Sequence, residues 1–129
     1  MKRFLLTTVF LSIFSCICLT ATAQVTTKMY RIAKIKVDAN QLDLYQVALK
    51  EQMNTAIQLE PGVLSYTVVA DKKDASSITI FEVYSNHEAY QSHIATPHFK
   101  KYKETVKNMV LSLELIDTEL VAQLKQKEH

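Results

Sequence analysis

The sequence predicts an α+β fold in which a four-stranded antiparallel sheet carries two helices on one face. Two observations predict it. Strand-like alternation and helix-like spacing of apolar residues follow one another in the order β-α-β-β-α-β, and the 129-residue chain contains a single glycine. Folds made of many short strands need repeated turns with positive φ, which one glycine does not supply. Residues 24–129 are enough for one domain with one modest core.

The first 23 residues differ in composition from the rest of the chain. Met1–Arg3 is basic, Phe4–Leu19 is largely apolar, and Ala21–Ala23 offers the small residues of a cleavage site. This order is typical of a secretory signal peptide, so we predict a signal peptide over residues 1–23, cleaved before Gln24. We therefore expect an exported protein, located in a bacterial periplasm, whose domain core spans about residues 28–121.

Two other interpretations of this leader stay open. A membrane anchor is disfavoured, because hydroxyl residues dilute an apolar run that has fewer than the ~20 residues a membrane span needs. Lipoprotein processing at Cys16 is the second alternative, and it is disfavoured by the bulky Phe14 just upstream of that cysteine. We expect no membrane contact once the leader is removed.

The charge and cysteine content of the mature chain exclude several function classes. The whole chain has 15 Lys+Arg and 13 Asp+Glu, and loss of Lys2 and Arg3 with the leader leaves residues 24–129 formally neutral. Nucleic-acid binding needs an excess of basic residues on one face, so we expect no nucleic-acid partner. Cys16 and Cys18 also belong to the leader, which excludes disulfides, thiolate nucleophiles and zinc-thiolate sites from the mature domain.

The first half of the mature chain has the pattern of a strand, a helix and a hairpin. Alternating apolar residues predict a strand over Met29–Val37, and Asn40 is suited to cap the helix that follows. The Pro61–Gly62 pair ends that helix. Two β-branched and aromatic runs, Val63–Ala70 and Ser77–Tyr84, flank a polar loop and predict an antiparallel hairpin. The apolar stripe of the helix consists of Leu42, Tyr45, Leu49, Met53, Ala56 and Ile57.

The second half contains an interrupted helix and a last strand. Ser85 has Glu88 three residues on, which is the spacing of a capping box at a helix start. Pro97 interrupts this helix and can open a second helical segment, because a proline in the first turn gives up no hydrogen bond. We predict the last strand over Leu113–Val121. The apolar stripe of the second helical segment is Phe99, Tyr102, Val106, Met109 and Val110.

Both faces of the predicted sheet carry large apolar residues. In the strand Ser77–Tyr84, Ile80 points to one face, whereas Phe81 and Val83 point to the other. Two helices cover only one face, and the second would be a larger apolar patch than monomers usually expose. We therefore predict a homodimer in which two sheets pack face to face and close a barrel-like structure.

Polar residues that could carry chemistry cluster between Glu82 and Tyr102, and three of the four histidines lie in this stretch. Glu82 alternates with Ile80 and Tyr84 on the face assigned to the helices, so its carboxylate should be partly desolvated and its pKa raised. It is either a general acid or base lining a pocket, or a buried acceptor for a tyrosine or histidine. His93 points inward beside the helix break. It is either a pocket residue that moves a proton near neutral pH or a satisfied core histidine.

Four further residues are candidates for binding a ligand near Glu82 and His93. His98 begins the segment after Pro97, where a helix N-terminus favours an anion or developing negative charge. Tyr66, Tyr90 and Phe99 could line a pocket that accepts an aromatic ligand, although aromatic stripes more often belong to a core.

Metal and nucleotide sites are not predicted. The spacing of His87, His93 and His98 matches neither a helical i,i+4 metal pair nor an alternating strand pair. With Gly62 as the single glycine, neither a phosphate loop nor a dinucleotide-binding fingerprint can be built.

Three segments resemble the antibiotic biosynthesis monooxygenase family: Glu60–Tyr66, Phe81–Tyr84 and, most specifically, Glu88–Lys100. The resemblance covers about residues 28–121. It implies a dimeric α+β barrel of ferredoxin-like subunits. It also implies oxidation of a small quinol-like or polyphenolic aromatic substrate by molecular oxygen, with no flavin, haem or metal, so we expect no cofactor. The residues that match the family's motif by position are Glu82, Tyr84, His93, His98 and Phe99.

The resemblance also suggests roles for the candidate residues. In that chemistry the deprotonated substrate itself reduces oxygen, so the protein supplies a dry pocket, a base and a donor for the developing oxyanion. We expect catalytic roles for His93, Glu82 and Tyr84. The residues expected to bind the substrate are His98, Phe99, Tyr66 and Tyr90.

Three alternatives stay open. The haem-degrading branch of the family has a tryptophan where Tyr84 stands and a haem-ligating histidine where Lys103 stands, which disfavours haem degradation here. An isomerase branch acts on a phosphorylated substrate and would need a phosphate clamp, for which the mature chain offers Arg31 and its lysines. The third alternative is a barrel that binds a small ligand without turnover.

Overall fold

The computed structural model describes residues 27–126, and the predicted signal peptide and its cleavage site lie outside them. A short 3₁₀ turn, Ala39–Gln41, precedes the first helix. The elements are β1 (Met29–Val37), α1 (Leu42–Leu59), β2 (Val63–Ala70), β3 (Ser77–Tyr84), α2 (His87–Ala95), α3 (Pro97–Val106) and β4 (Val110–Thr118). Their order confirms the predicted ferredoxin-like α+β fold, with the second helix split into α2 and α3.

The four strands form one antiparallel sheet in the order β2-β3-β1-β4. The central strand β1 pairs with β3 on one side and β4 on the other, so that Ile32 lies opposite both Phe81 and Ile116. Side chains of alternate residues on β1 are buried, which puts Ala33, Ile35 and Val37 beneath the helices.

The main core lies between this sheet face and helices α1 and α3. Tyr45 of α1, Val106 of α3 and Val37 of β1 are almost completely inaccessible to solvent. The remaining buried members of the cluster are Ala33, Ile35, Leu49, Ile78 and Ile80. A second small cluster joins Ala56 and Tyr84 under α2. The sheet face that the sequence assigned to the helices is therefore the one they cover.

Two helix caps differ from prediction. Asp38, rather than Asn40, accepts a backbone N–H at the first helical turn, because a 3₁₀ turn intervenes before α1. At α2 the cap is Asn86, whose side chain accepts the N–H of Ala89 at 2.7 Å. Ser85 precedes the cap, and its backbone N–H donates to the carbonyl of Gly62 at 2.8 Å.

The predicted break at Pro97 is confirmed, and the last strand is displaced from its predicted range. Thr96 caps α3 and Pro97 occupies its first turn. Helix α3 ends at Val106, so Met109 and Val110 do not continue its stripe, and β4 begins three residues before the predicted Leu113. The carbonyl of Met109 accepts the N–H of Asp38, which starts the pairing with β1 at this point.

Gly62 allows the β2 end of the sheet to approach α2. A Cβ atom at this position would lie 2.6 Å from the Cβ of Ala89 and 3.2 Å from the hydroxyl of Ser85. Its φ is not positive, so the close approach of α2, and not a left-handed turn, requires glycine here.

The opposite face of the sheet carries Tyr30, Ile32, Phe81 and Ile116, all partly accessible. Tyr30 and Phe81 stack with ring centroids 6.1 Å apart. Within residues 27–126, the three helices all pack on the other face. In the same range, no helix combines the length and the apolar character needed to cross a membrane.

Candidate active site

A cavity lies between the helix-covered face of the sheet and helices α1 to α3. Its volume is about 100 Å³, of the same order as an apolar cavity of about 150 Å³ that admits benzene. Apolar walls include Ala33, Ile35 and Ile80 from the sheet and Leu49, Phe99 and Val106 from the helices. Its polar groups come mainly from Arg31, Gln52, Tyr66, Glu82, Tyr84 and His93. A mostly apolar space with a few convergent polar groups is typical of a small-molecule site.

Glu82 projects from β3 into this cavity, as its alternation with Ile80 predicts. The hydroxyl of Tyr84 donates to its Oε2 at 3.0 Å. Burial raises the pKa of Glu82, while the Tyr84 hydrogen bond and the nearby charge of Arg31 act in the opposite direction. The structure thus places a partly desolvated carboxylate where a substrate hydroxyl could meet it.

His93 lies at the centre of the site and is 1% exposed. Its Nε2 is 3.0 Å from the hydroxyl of Tyr66 and 3.1 Å from Nε2 of Gln52. Its Nδ1 is 2.9 Å from Oε1 of Glu60. Burial lowers the pKa of His93, and Glu60 opposes that shift. The lowered pKa favours the neutral imidazole, which can accept a proton.

Two tyrosines connect the regions of Glu82 and His93. The hydroxyls of Tyr66 and Tyr84 lie 3.3 Å apart, and Tyr66 also reaches His93. Burial raises the pKa of both phenols, so they stay protonated and remain hydrogen-bond donors. Such donors suit an oxygen atom that gains negative charge during a reaction.

Of the other residues predicted to bind the substrate, two line the cavity and one lies outside it. Tyr90 and Phe99 line the cavity, and the ring of Phe99 packs edge-on against that of His93 at 4.9 Å. His98 does not line the cavity. Its Nε2 lies 2.6 Å from Oε1 of Glu60, and its side chain lines a separate depression together with Tyr102.

Three further residues belong to the site: Gln52 and Glu60, for which the sequence predicted no role, and Arg31, which it offered only for a phosphate clamp. Arg31 is buried, forms two hydrogen bonds with Asp117, and places its guanidinium 4.0 Å above the ring of Tyr90. Its partner is 86 residues away in sequence, so no local pattern marks it. Glu60 lies in the first segment of the family resemblance, which is the available sequence signal for it.

Glu60, His93 and His98 together form a group that could hold a metal ion. Each offers one ligand atom, and these atoms lie within 4.8 Å of one another. The histidine spacing did not predict this group because its third member comes from the end of α1. His87 is exposed and contacts Gln91, away from the group.

The amino-acid sequence matches the model of a known protein family. Residues 29–105 match the model of the family described as antibiotic biosynthesis monooxygenase. The chain belongs to this family. The matched range contains Glu60, Glu82, Tyr84, His93, His98 and Phe99, and it therefore includes every residue that surrounds His93.

Two solved structures that bear monooxygenase names are similar to this chain. One comes from Bacteroides thetaiotaomicron and is named for antibiotic biosynthesis monooxygenase. It is 48% identical in sequence, with a TM-score of 0.73, and the match covers 78% of this chain and 97% of the other. The second, a monooxygenase by name from Lactobacillus acidophilus, is 31% identical, with a TM-score of 0.67, over 68% of this chain and 42% of the other. Both names agree with a monooxygenase-like function for this chain.

A curated relative is an uncharacterised protein of Synechocystis. It is 33% identical over 58 residues, which is 45% of this chain and 40% of the relative. This chain thus matches less than half of the relative's length.

Proposed function

We propose that this protein is a monooxygenase that oxidises a small quinol-like or polyphenolic substrate with molecular oxygen and needs no cofactor. The observation that carries the proposal is one cavity with apolar walls in which two proton acceptors, Glu82 and His93, face buried phenol donors. The family membership and the monooxygenase names of similar proteins support the reaction class.

The proposed reaction begins with loss of a phenolic proton from the bound substrate. Glu82 or Nε2 of His93 takes this proton, either directly or, for His93, through the hydroxyl of Tyr66. The resulting phenolate is electron-rich and reduces oxygen by one electron, and the two radicals combine to form a carbon–oxygen bond. Loss of water then leaves a hydroxylated quinone, so that one oxygen atom enters the product and the other leaves as water.

The cavity groups have distinct roles in this scheme. Once Glu82 or Nε2 of His93 has taken the proton, the hydroxyl of Tyr84 or Tyr66 is released from it and can donate to a substrate oxygen that becomes negatively charged. Phe99 and Tyr90 hold the aromatic ring. The apolar walls exclude water, which strengthens these interactions and protects reactive intermediates. Arg31 is engaged by Asp117 and Tyr90, which argues against its use as the phosphate clamp of an isomerase.

Oxygen uptake with a panel of hydroquinones tests the proposal. We expect uptake by the mature protein and a loss of about 10²-fold or more in kcat for His93→Ala, because a positioned proton acceptor contributes about 10²–10⁴-fold. Glu82→Gln and Tyr84→Phe identify the base and the donor, and the exposed His87→Ala is the matched control. Uptake that none of the cavity variants changes would contradict the mechanism, and tight ligand binding without uptake would favour a binding protein.

We propose that the protein is a homodimer through the uncovered sheet face. Tyr30, Ile32, Phe81 and Ile116 form an apolar surface there, and the helices among residues 27–126 lie on the other face. A second copy would remove this surface from water. Sedimentation of the mature protein at micromolar concentration tests the proposal, and a strictly monomeric species would refute it.

We also propose that the mature domain is exported to the periplasm after removal of residues 1–23. The basic start, apolar run and small-residue site of this segment support the proposal. Mass spectrometry of the mature N-terminus should find Gln24 first. A lipid-modified Cys16 would instead establish a lipoprotein.

A further inference from the structure

A second layer of polar side chains lies behind His93. Glu60 is the cap residue directly after α1, and its backbone N–H donates to the carbonyl of Ala56, which holds it in place. Its Oε1 is 2.9 Å from Nδ1 of His93 and 2.6 Å from Nε2 of His98. Its side chain is 13% exposed, and that of His93 is 2% exposed. A carboxylate this enclosed needs donors, and the two imidazoles supply them.

These contacts determine which ring nitrogen of His93 carries the proton. An ionised carboxylate only accepts hydrogen bonds, so Nδ1 of His93 is the donor toward Glu60. A neutral imidazole has one N–H, which leaves the lone pair on Nε2. The neighbours on that side are the hydroxyl of Tyr66 and the side-chain amide of Gln52, and both can donate to it. Contacts on the two sides of the ring therefore agree on one tautomer.

We propose that Glu60 is a positioning residue for His93. It fixes the tautomer whose Nε2 lone pair faces the cavity, and it stabilises the imidazolium that forms when Nε2 takes the substrate proton. His98 donates to the same carboxylate oxygen and holds it in place. The assignment rests on the proposed function, in which His93 accepts that proton. The proton stays on Nε2, and the carboxylate of Glu60 keeps its hydrogen bond to Nδ1.

The distances between the polar atoms of Glu60, His93 and His98 indicate hydrogen bonds rather than a shared metal ion. A first-row metal such as zinc needs ligand atoms about 2.0–2.2 Å from the ion. Two ligand atoms at that distance from one tetrahedral ion lie about 3.3 Å or more apart, whereas Oε1 of Glu60 is 2.9 Å from Nδ1 of His93 and 2.6 Å from Nε2 of His98, as in hydrogen bonds. A metal would also take Nδ1 of His93 as a ligand and move the proton of the neutral ring to Nε2, which would remove the base from the cavity. Metal binding is therefore an outcome that would overturn the assignment.

Nitrogen-15 NMR of the histidine ring tests the tautomer without any turnover. In the wild type at a pH where His93 is neutral, we expect a protonated Nδ1 and an unprotonated Nε2. Glu60→Gln keeps an acceptor oxygen and should keep this tautomer, whereas Glu60→Ala should weaken the preference, because Tyr66 and Gln52 alone then favour it. Glu88→Ala, in the exposed first turn of α2, is the control. A wild-type ring protonated at Nε2, an unchanged preference in Glu60→Ala, or stoichiometric Zn²⁺ bound to the wild type and lost in His98→Asn would overturn the proposal.

The pH dependence of turnover tests the stabilised imidazolium. The titratable groups that face His93 are Glu60 from α1, His98 from α3, Tyr66 from β2 and Tyr84 from β3. Removing the charge of Glu60 lowers the pKa of His93, so the acid limb of kcat/KM should move to lower pH in Glu60→Gln.

The split between kcat and KM separates this role from a structural one. We expect kcat to fall by about tenfold to 10²-fold in Glu60→Ala, less than the loss in His93→Ala, with KM little changed. Circular dichroism verifies that each variant is folded. An active wild type whose Glu60 variants keep the same kcat and pH profile would refute the positioning role. An inactive wild type with the expected NMR tautomer would refute the proposed function alone.

Discussion

Replacement of Tyr84 by phenylalanine removes the hydroxyl that donates to Glu82 and leaves the rest of the ring in place. The residue is 1% exposed, and its ring packs against Tyr66, Tyr90 and His93, contacts that phenylalanine keeps. The hydrogen bond is 3.0 Å long and ends on a half-buried carboxylate. A hydrogen bond to a charged group contributes about 1.5–3 kcal/mol, so we expect Tyr84→Phe to lower the free energy of unfolding by about 2 kcal/mol. For a domain of this size, the Tm should fall by roughly 8–16 °C.

The loss of unfolding free energy in Tyr84→Phe should depend on pH. The Tyr84 hydroxyl lowers the pKa of Glu82, against the larger effect of burial, because it favours the ionised carboxylate. The loss on Tyr84→Phe is therefore full where Glu82 is ionised and becomes smaller as pH falls through the pKa of Glu82. Urea unfolding at neutral and acidic pH measures this difference. Tyr30→Phe, on the uncovered sheet face, is the matched control.

A double-mutant cycle isolates the interaction between the two residues. Glu82→Gln and Tyr84→Phe are measured singly and together, and the coupling free energy should exceed about 1 kcal/mol at neutral pH. A coupling within about 0.5 kcal/mol of zero, or an equal penalty at both pH values, would refute the claim that Tyr84 stabilises a half-buried, ionised Glu82.

Three further predictions follow from the fold and the site. Gly62→Ala should lower the free energy of unfolding in urea by about 1–3 kcal/mol, because its Cβ would overlap that of Ala89. Ala89→Gly, added to this variant, should recover part of the loss, and an unchanged unfolding midpoint in Gly62→Ala would contradict the close approach. Phe81→Lys should sediment as a monomer, whereas the control Val47→Lys, on the exposed side of α1, should sediment as a dimer. Dimers of both variants would mean that the interface lies elsewhere. Because burial raises the pKa of Glu82 in the folded state, its stabilising contribution is present at acidic pH and lost as pH rises. Glu82→Gln should therefore raise the Tm at neutral pH and not at acidic pH. A lower Tm of this variant at neutral pH would contradict this sign.

Local sequence patterns predicted most of the fold. Apolar alternation located β1 and the hairpin of β2 and β3 at the observed bounds, and Pro97 marked the helix break. The last strand was misplaced because Met109 and Val110 fit the helical stripe as well as a strand. Pairing with β1, which is far away in sequence, decides that Val110 is extended.

The candidate site was predictable where one element supplies its residues. Alternation placed Glu82 and Tyr84 on the helix side, and helical spacing placed His93 inward. Glu60 was not predicted because it lies 33 residues from His93 and a carboxylate after a helix has the pattern of surface. His98 was expected to face the substrate, whereas its contact with Glu60 places it outside the cavity lining.

Isotope labelling of the product tests the central claim, that this cavity catalyses monooxygenation of a quinol-like substrate. The mature protein is incubated with a hydroquinone under ¹⁸O₂, the product is trapped by reduction, and its mass is measured for the wild type and for His93→Ala. The mechanism predicts one ¹⁸O atom per product molecule in the wild type and a strongly reduced yield in the variant. Oxidation to the quinone without label, or equal labelling in both proteins, would contradict it.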